Sequence, residues 1–206
     1  LRAACRAAIR RAADGADRVV LLAADPRTRV FDARSRGSLR GVGVALDVAL
    51  GPGRPEGPAD LPTALTVGAW LVRDALGPDV RMTATTVASS PDTPARRLDD
   101  TDLPVVVLGD GSARRTLKAP GYLDERAAAF DAGVEQALRT GDAAALAALD
   151  ARLGADLLAA GVPAWRAVGP VLAERNWNAS LGYAGDPYGV MYFAASWVST
   201  PAPARA

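Results

Sequence analysis

The chain has 206 residues, half of them apolar but only 5% aromatic, with 24 basic and 23 acidic side chains and a net charge of +1. That length predicts one domain, able to bury about 70% of the surface its unfolded chain exposes. Balanced charge argues against nucleic acid or an anionic membrane as partner, a single cysteine excludes an internal disulfide, and there is no histidine.

Leu1 to Ala13 reads as a helix, with Leu1, Ala4, Cys5, Ala8 and Ile9 on one stripe and Arg2, Arg6 and Arg10 off it. Cys5 on that stripe is expected to serve as a small core hydrophobe. Val19 to Ala24 is a short unbroken apolar run, the pattern of a strand buried on both faces of a parallel sheet, and Asp25-Pro26 stops it. Gly43 to Leu50 is a further strand candidate, and Gly51 to Pro58 a turn-rich loop. Leu61 to Leu76 reads as a helix, with Asp60 as candidate N-cap and Gly77-Pro78 as its end. Val80 to Val87 alternates and is β-branched, so it reads as a strand. Ser89 to Asp102 is a polar connection, and Leu103 to Leu108 the next strand.

The second half is mainly helical. Leu123 to Thr140 forms one helix, broken by Gly141, and Asp142 caps the next, where Leu146, Leu149, Leu153 and Leu157 share a stripe. Gly161 ends that helix and Pro163 to Glu174 begins another. Tyr188 to Val198 reads as a strand, and Pro201 to Ala206 as a frayed tail outside a domain spanning residues 1–200. Strands alternating with helices predict an α/β domain of three layers, a central mixed and mostly parallel sheet flanked by helices. No signal peptide and no membrane-length apolar run is present in the sequence, so a cytoplasmic protein is expected.

Val105 to Leu108 runs into the loop Gly109-Asp-Gly-Ser-Ala-Arg-Arg115, and ligands bind at such loops beyond the carboxyl ends of strands. Two glycines allow close backbone approach, Ser112 supplies a hydroxyl, and Arg114 or Arg115 can pair with an anion. The loop fits neither dinucleotide-binding nor P-loop spacing. Asp25 and Asp110 both follow strands, so two carboxylates on one crevice are a conceivable Mg2+ site, with Asp186 and Glu174 further candidates. The alternative is that they cap turns. Trp177, Tyr183, Tyr188, Tyr192 and Trp197 either line an aromatic pocket or belong to core and interface. With no histidine, neither Ser112 nor any other hydroxyl or thiol has the usual base partner, which argues against hydrolase chemistry.

The loop, the Pro120-Gly121 turn, Phe130-Asp131 at a helix start, Trp165 and the closing Pro187-Tyr-Gly-Val-Met-Tyr-Phe193 together resemble the class III extradiol ring-cleavage dioxygenases of the subunit-B type. The resemblance is best from Val105 to Trp165. It implies a site in which two histidines and a glutamate hold Fe(II), with a further histidine as acid–base, and oligomers or a partner subunit. Carried over by position, the acid–base falls on Ala113, one histidine ligand on Pro26, and the glutamate on Leu158 or Gly161. The remaining ligand would precede Leu1, on a first strand that is expected ahead of this sequence. The expectation is therefore a degenerate homologue without cofactor that binds a small aromatic or anionic ligand, or a partner. The candidate ligand contacts are Asp25, Gly109, Asp110, Gly111, Ser112, Arg114 and Arg115. Two alternatives remain: an Fe(II)-dependent dioxygenase completed by upstream residues or another subunit, and a purely scaffolding subunit.

Overall fold

Alternate residues of one strand face two different helix layers, and this organises the molecule. The structure is a computed structural model, and it describes residues 1–53, 58–92 and 102–200. In β1 (Arg18–Asp25), Val19, Leu21 and Ala23 pack toward α1 (Arg2–Ala13) and α2 (Thr63–Leu76). Leu22, between them, packs against α6 (Val162–Leu172) on the opposite face. A strand buried on both sides must be apolar at every position, which is why its sequence does not alternate.

Beside β1 lie β5 (Arg81–Ala88) on one side and β6 (Val105–Leu108) on the other, both parallel to it. β2 (Val30–Phe31) adds an antiparallel edge, giving a four-stranded sheet of order β2-β5-β1-β6. The fold is α/β with a mixed, mostly parallel sheet between helices, as the alternation of strands and helices predicts. A small hairpin of β3 (Arg36–Ser38) and β4 (Asp47–Ala49) lies beside α2.

The remaining helices are α3 (Arg126–Thr140), α4 (Ala143–Ala147) and α5 (Ala151–Asp156). A second hairpin, β7 (Trp177–Gly185) and β8 (Tyr192–Ser199), packs on α3 and α1. Arg11 ties it to α1 by donating to the Ser196 carbonyl (2.9 Å) and to Asn178 Oδ1 (3.0 Å).

Several elements depart from the sequence expectation. Helix α2 starts behind Pro62, and Asp60 is not its cap: the Asp60 carboxylate accepts from the Ser35 hydroxyl and the Arg36 N–H, both at 3.1 Å, and so holds β3. The expected strand Gly43 to Leu50 contracts to β4 because a 3-10 turn, Arg40–Val42, and the bend after it occupy the preceding residues. Helix α3 begins at Arg126, since the Asp124 carboxylate accepts from the Arg126 N–H (3.0 Å) and forms a turn there. The leucine stripe after Asp142 is two helices, not one. Asp142 caps α4, as its position suggests, but Asp150 accepts from the N–H groups of Arg152 (2.8 Å) and Leu153 (3.1 Å) and starts α5 afresh. Strand β7 is absent from the expectation altogether, as are β2 and β3, and the strand expected from Tyr188 begins at Tyr192. The tail Pro201 to Ala206 and parts of the two long loops lie outside the described residues.

Candidate functional site

Strand order places the crevice. The chain leaves β1 for β5 on one side and returns to β6 on the other, so the loops after β1 and β6 diverge to opposite faces. Ligands in open α/β sheets bind outside the carboxyl ends of strands at such a switch. Asp25-Pro26 and Gly109-Asp110 stand at those two ends, and the start of α6 sits between them. Contact there is at backbone distance: a Cβ on Gly109 would lie 2.2 Å from the Gly161 Cα.

The loop after β6 is held on both sides by main-chain hydrogen bonds. The N–H groups of Gly111 and Ala113 donate to Met191 (2.8 Å) and Leu157 (3.0 Å), and that of Arg115 donates to Gly189 (3.1 Å). In return the loop's Asp110 carbonyl accepts from Gly161 (2.9 Å) and its Ser112 carbonyl from Met191 (2.9 Å). Ser112 is fully buried, and both its N–H (2.8 Å) and its hydroxyl (2.5 Å) donate to the Asp131 carboxylate, itself 1% exposed. Arg115 lies 3.8 Å from that carboxylate and bonds Asp186 at 2.9 Å. Burial pushes the Asp131 carboxyl above its ordinary value, while the Ser112 hydrogen bonds and Arg115 pull it down. The main-chain N–H groups of Gly111, Ser112, Ala113 and Arg115, the Ser112 hydroxyl and the Arg115 side chain are thus engaged within the protein, and Gly109 to Arg115 acts as a clasp joining β6, α3, the start of α6 and the turn before β8. Asp131, known in the sequence only as part of a helix-start pattern, is the centre of the clasp.

Arg114 lies outside the described cavities. Its Nε is buried without a hydrogen-bond partner, and its charge helps Arg126 hold the Asp124 carboxyl down at about 2. Asp110 is half-buried, and burial raises its pKa. Asp25 pairs with Arg29 at 3.1 Å. Asp25 lines a cavity at the carboxyl ends of β1 and β5 and Asp110 does not, and among the described residues no group of three His, Cys, Asp or Glu side chains converges as a metal site.

A cavity of about 390 Å³ opens at the carboxyl ends of β1 and β5, against the start of α6. Asp25, Pro26, Ser89 and Ser90 form one wall, and Leu158, Ala159 and Arg166 the other. The Arg152–Asp92 ion pair (2.5 Å) bridges the two sides near Ala151 and Pro91. Leu158 has a left-handed φ of 56°, which strains a leucine, and it neighbours Ala113: a Cβ on Gly121 would meet Leu158 Cδ1 at 2.7 Å and the Ala113 carbonyl at 3.0 Å. Pro26 and Leu158 thus both line this cavity, Leu158 neighbours the Ala113 carbonyl, and Gly161, the alternative glutamate position, packs on Gly109. None has a side chain that ligates iron or transfers a proton, so these residues do not fit the Fe(II) group that the resemblance implies.

Arg166 is the residue that the sequence reading overlooked. It is the lone charged side chain of α6, and that isolation on an apolar helix was its available signal. A second cavity, about 340 Å³, lies between β6 and the β7–β8 hairpin and is lined by Trp165, Trp177, Phe193 and Trp197. Trp177 and Trp197, both half-buried, donate their indole N–H groups to the carbonyls of Leu172 (2.7 Å) and Leu138 (2.9 Å), which fixes them in the cavity wall. Tyr188 is 78% exposed and belongs to neither cavity. No protein-family model matches the chain, and no curated protein matches it.

Proposed function

We propose that this protein is a class III extradiol dioxygenase-like domain that has kept the crevice and lost the chemistry, and that it binds a small molecule there without turning it over. The observation that carries the reading is that Pro26 and Leu158 both line the carboxyl-end cavity, with the Ala113 carbonyl beside Leu158. Pro26 and Ala113 are 87 residues apart in sequence and Ala113 and Leu158 are 45, and their grouping at one end of the sheet supports the reading. Side chains of this kind leave a volume with walls but no reacting group. A cavity of about 390 Å³ falls within the usual range for small-molecule sites, roughly 300–1,000 Å³.

Protein expressed from its whole reading frame, grown with iron and purified without oxygen, provides the test. The expected result is substoichiometric iron, no yellow ring-cleavage product from catechols, and a melting temperature that rises with a bound small molecule. A ligand at a hundredfold excess over Kd stabilises the fold by about 2.7 kcal/mol. Near-stoichiometric iron with ring cleavage would overturn this reading in favour of an active dioxygenase.

A further inference from the structure

We propose that the carboxyl-end cavity takes a small carboxylate with an apolar body, and that Arg166, not the Arg114–Arg115 pair, is its anchor. This rests on the reading of the crevice as a small-molecule site and assigns that ligand its charge.

Arginines next to the cavity-lining residues are paired: Arg29 with Asp25, and Arg152 with Asp92. Among the described residues Arg166 has neither an ion pair nor a hydrogen bond, and its Nε is buried without a partner. A guanidinium cannot shed its charge, so burying one of its donors without a partner costs free energy unless a ligand supplies the acceptor. Its planar fork matches two carboxylate oxygens, which a single ammonium would not do. With Asp25 neutralised by Arg29, Arg166 is left as the unbalanced charge of the cavity.

The opposite wall offers the hydroxyls of Ser89 and Ser90, one apiece, to orient a polar head. Most of the rest is hydrocarbon: Val87, Ala155, Leu158, Ala159 and Val162. A fully solvated inorganic anion would leave that surface uncovered. An acid with an apolar or aromatic body fills it while its head meets the fork. The loop arginines do not compete, since Arg115 is committed to Asp186 and Asp131, and Arg114 lies outside the cavity.

The test titrates benzoate and its neutral isostere benzamide into the intact protein, by calorimetry and by amide chemical shifts. Benzoate is expected to saturate in the millimolar range, shifting Ser89, Ser90 and Ala160, with benzamide at least tenfold weaker. Arg166→Gln should lose tenfold or more of the benzoate affinity, Arg166→Lys should lose part of it, and Arg114→Gln should lose none. If Arg166→Gln fails to fold, the comparison of Arg166→Lys with wild type carries the same decision. Benzamide binding the same residues as tightly as benzoate would overturn the carboxylate assignment and leave the crevice a binding site. So would benzoate binding unchanged by Arg166 substitution. Neither compound shifting these residues at about 10 mM would overturn both proposals, since even a few contacts give millimolar affinity.

Discussion

Removing the Asp131 carboxylate should break the clasp and cost the protein much of its stability. Asp131 is 1% exposed and Ser112 fully buried, and two donors of Ser112, the N–H at 2.8 Å and the hydroxyl at 2.5 Å, end on that one carboxylate. Asp131→Ala strands both donors away from water, at about 1–3 kcal/mol each. Arg115 keeps Asp186 at 2.9 Å, so its charge is not orphaned and adds little. The expected loss is about 2–5 kcal/mol, a large part of the 5–15 kcal/mol that typically holds a domain together. Asp131→Asn, which keeps an oxygen and sheds the charge that burial penalises, should cost less. Ser112→Ala removes one of the stranded donors in advance, so Asp131→Ala should cost about 1 kcal/mol less in that background than alone. Urea unfolding curves of the four proteins in this cycle, with unchanged slopes, measure this directly. A loss below 1 kcal/mol for Asp131→Ala, or strict additivity with Ser112→Ala, would refute the clasp.

Leu158→Gly should be more stable than Leu158→Ala by about 1 kcal/mol in thermal or urea melts, reversing the usual order, because φ is 56° there and only glycine adopts it freely. Gly109→Ala should destabilise by about 2–3 kcal/mol, since its Cβ would lie 2.2 Å from backbone at Gly161 and α6 would have to move. Asp110 should give a pH signature. Burial raises its folded pKa above the unfolded value of about 3.9, so its contribution is fully present below that pH and is lost as pH rises through the folded pKa. Urea melts of Asp110→Asn against wild type should therefore show the variant gaining relative stability from pH 4 upward, and a constant difference across that range would contradict the burial. Arg73→Met should lower the midpoint of urea unfolding, because the Arg73 guanidinium gathers the carbonyls of Ala49 (3.1 Å), Leu50 (3.2 Å) and Val80 (2.7 Å) across the end of α2.

What the sequence made legible follows from how local each cause is. β1 and β6 declare themselves because burial on two faces demands an unbroken apolar run, and β5 because its residues are β-branched. β7 does not. Trp177, Ala179, Leu181 and Tyr183 do alternate with exposed Asn178, Ser180, Gly182 and Ala184, but the Asn, Ala, Ser and Gly between its large residues are weak strand formers and dilute that signal. Its pairing comes from β8, across a turn that nothing within β7 announces. Asp60, Asp142 and Asp150 make the same point at finer scale. Each is a plausible cap by residue type, yet the nearest unsatisfied N–H decides: for Asp60 it belongs to β3, for the other two to a helix start. The site divides in the same way. A segment pattern was enough to point to Pro26, Ala113 and either Leu158 or Gly161, but a cavity is formed by residues from distant stretches, and its electrostatics depend on which charges are already paired. Arg114 and Arg115 stand out in a sequence because they are adjacent, and adjacency says nothing about Asp124, Asp131 or Asp186 waiting beside them. Arg166 stands out less, although an arginine that interrupts a helix of Val, Ala, Trp, Gly, Pro and Leu needs a reason for being there. The charge least explained by its neighbours is the one most available to a ligand.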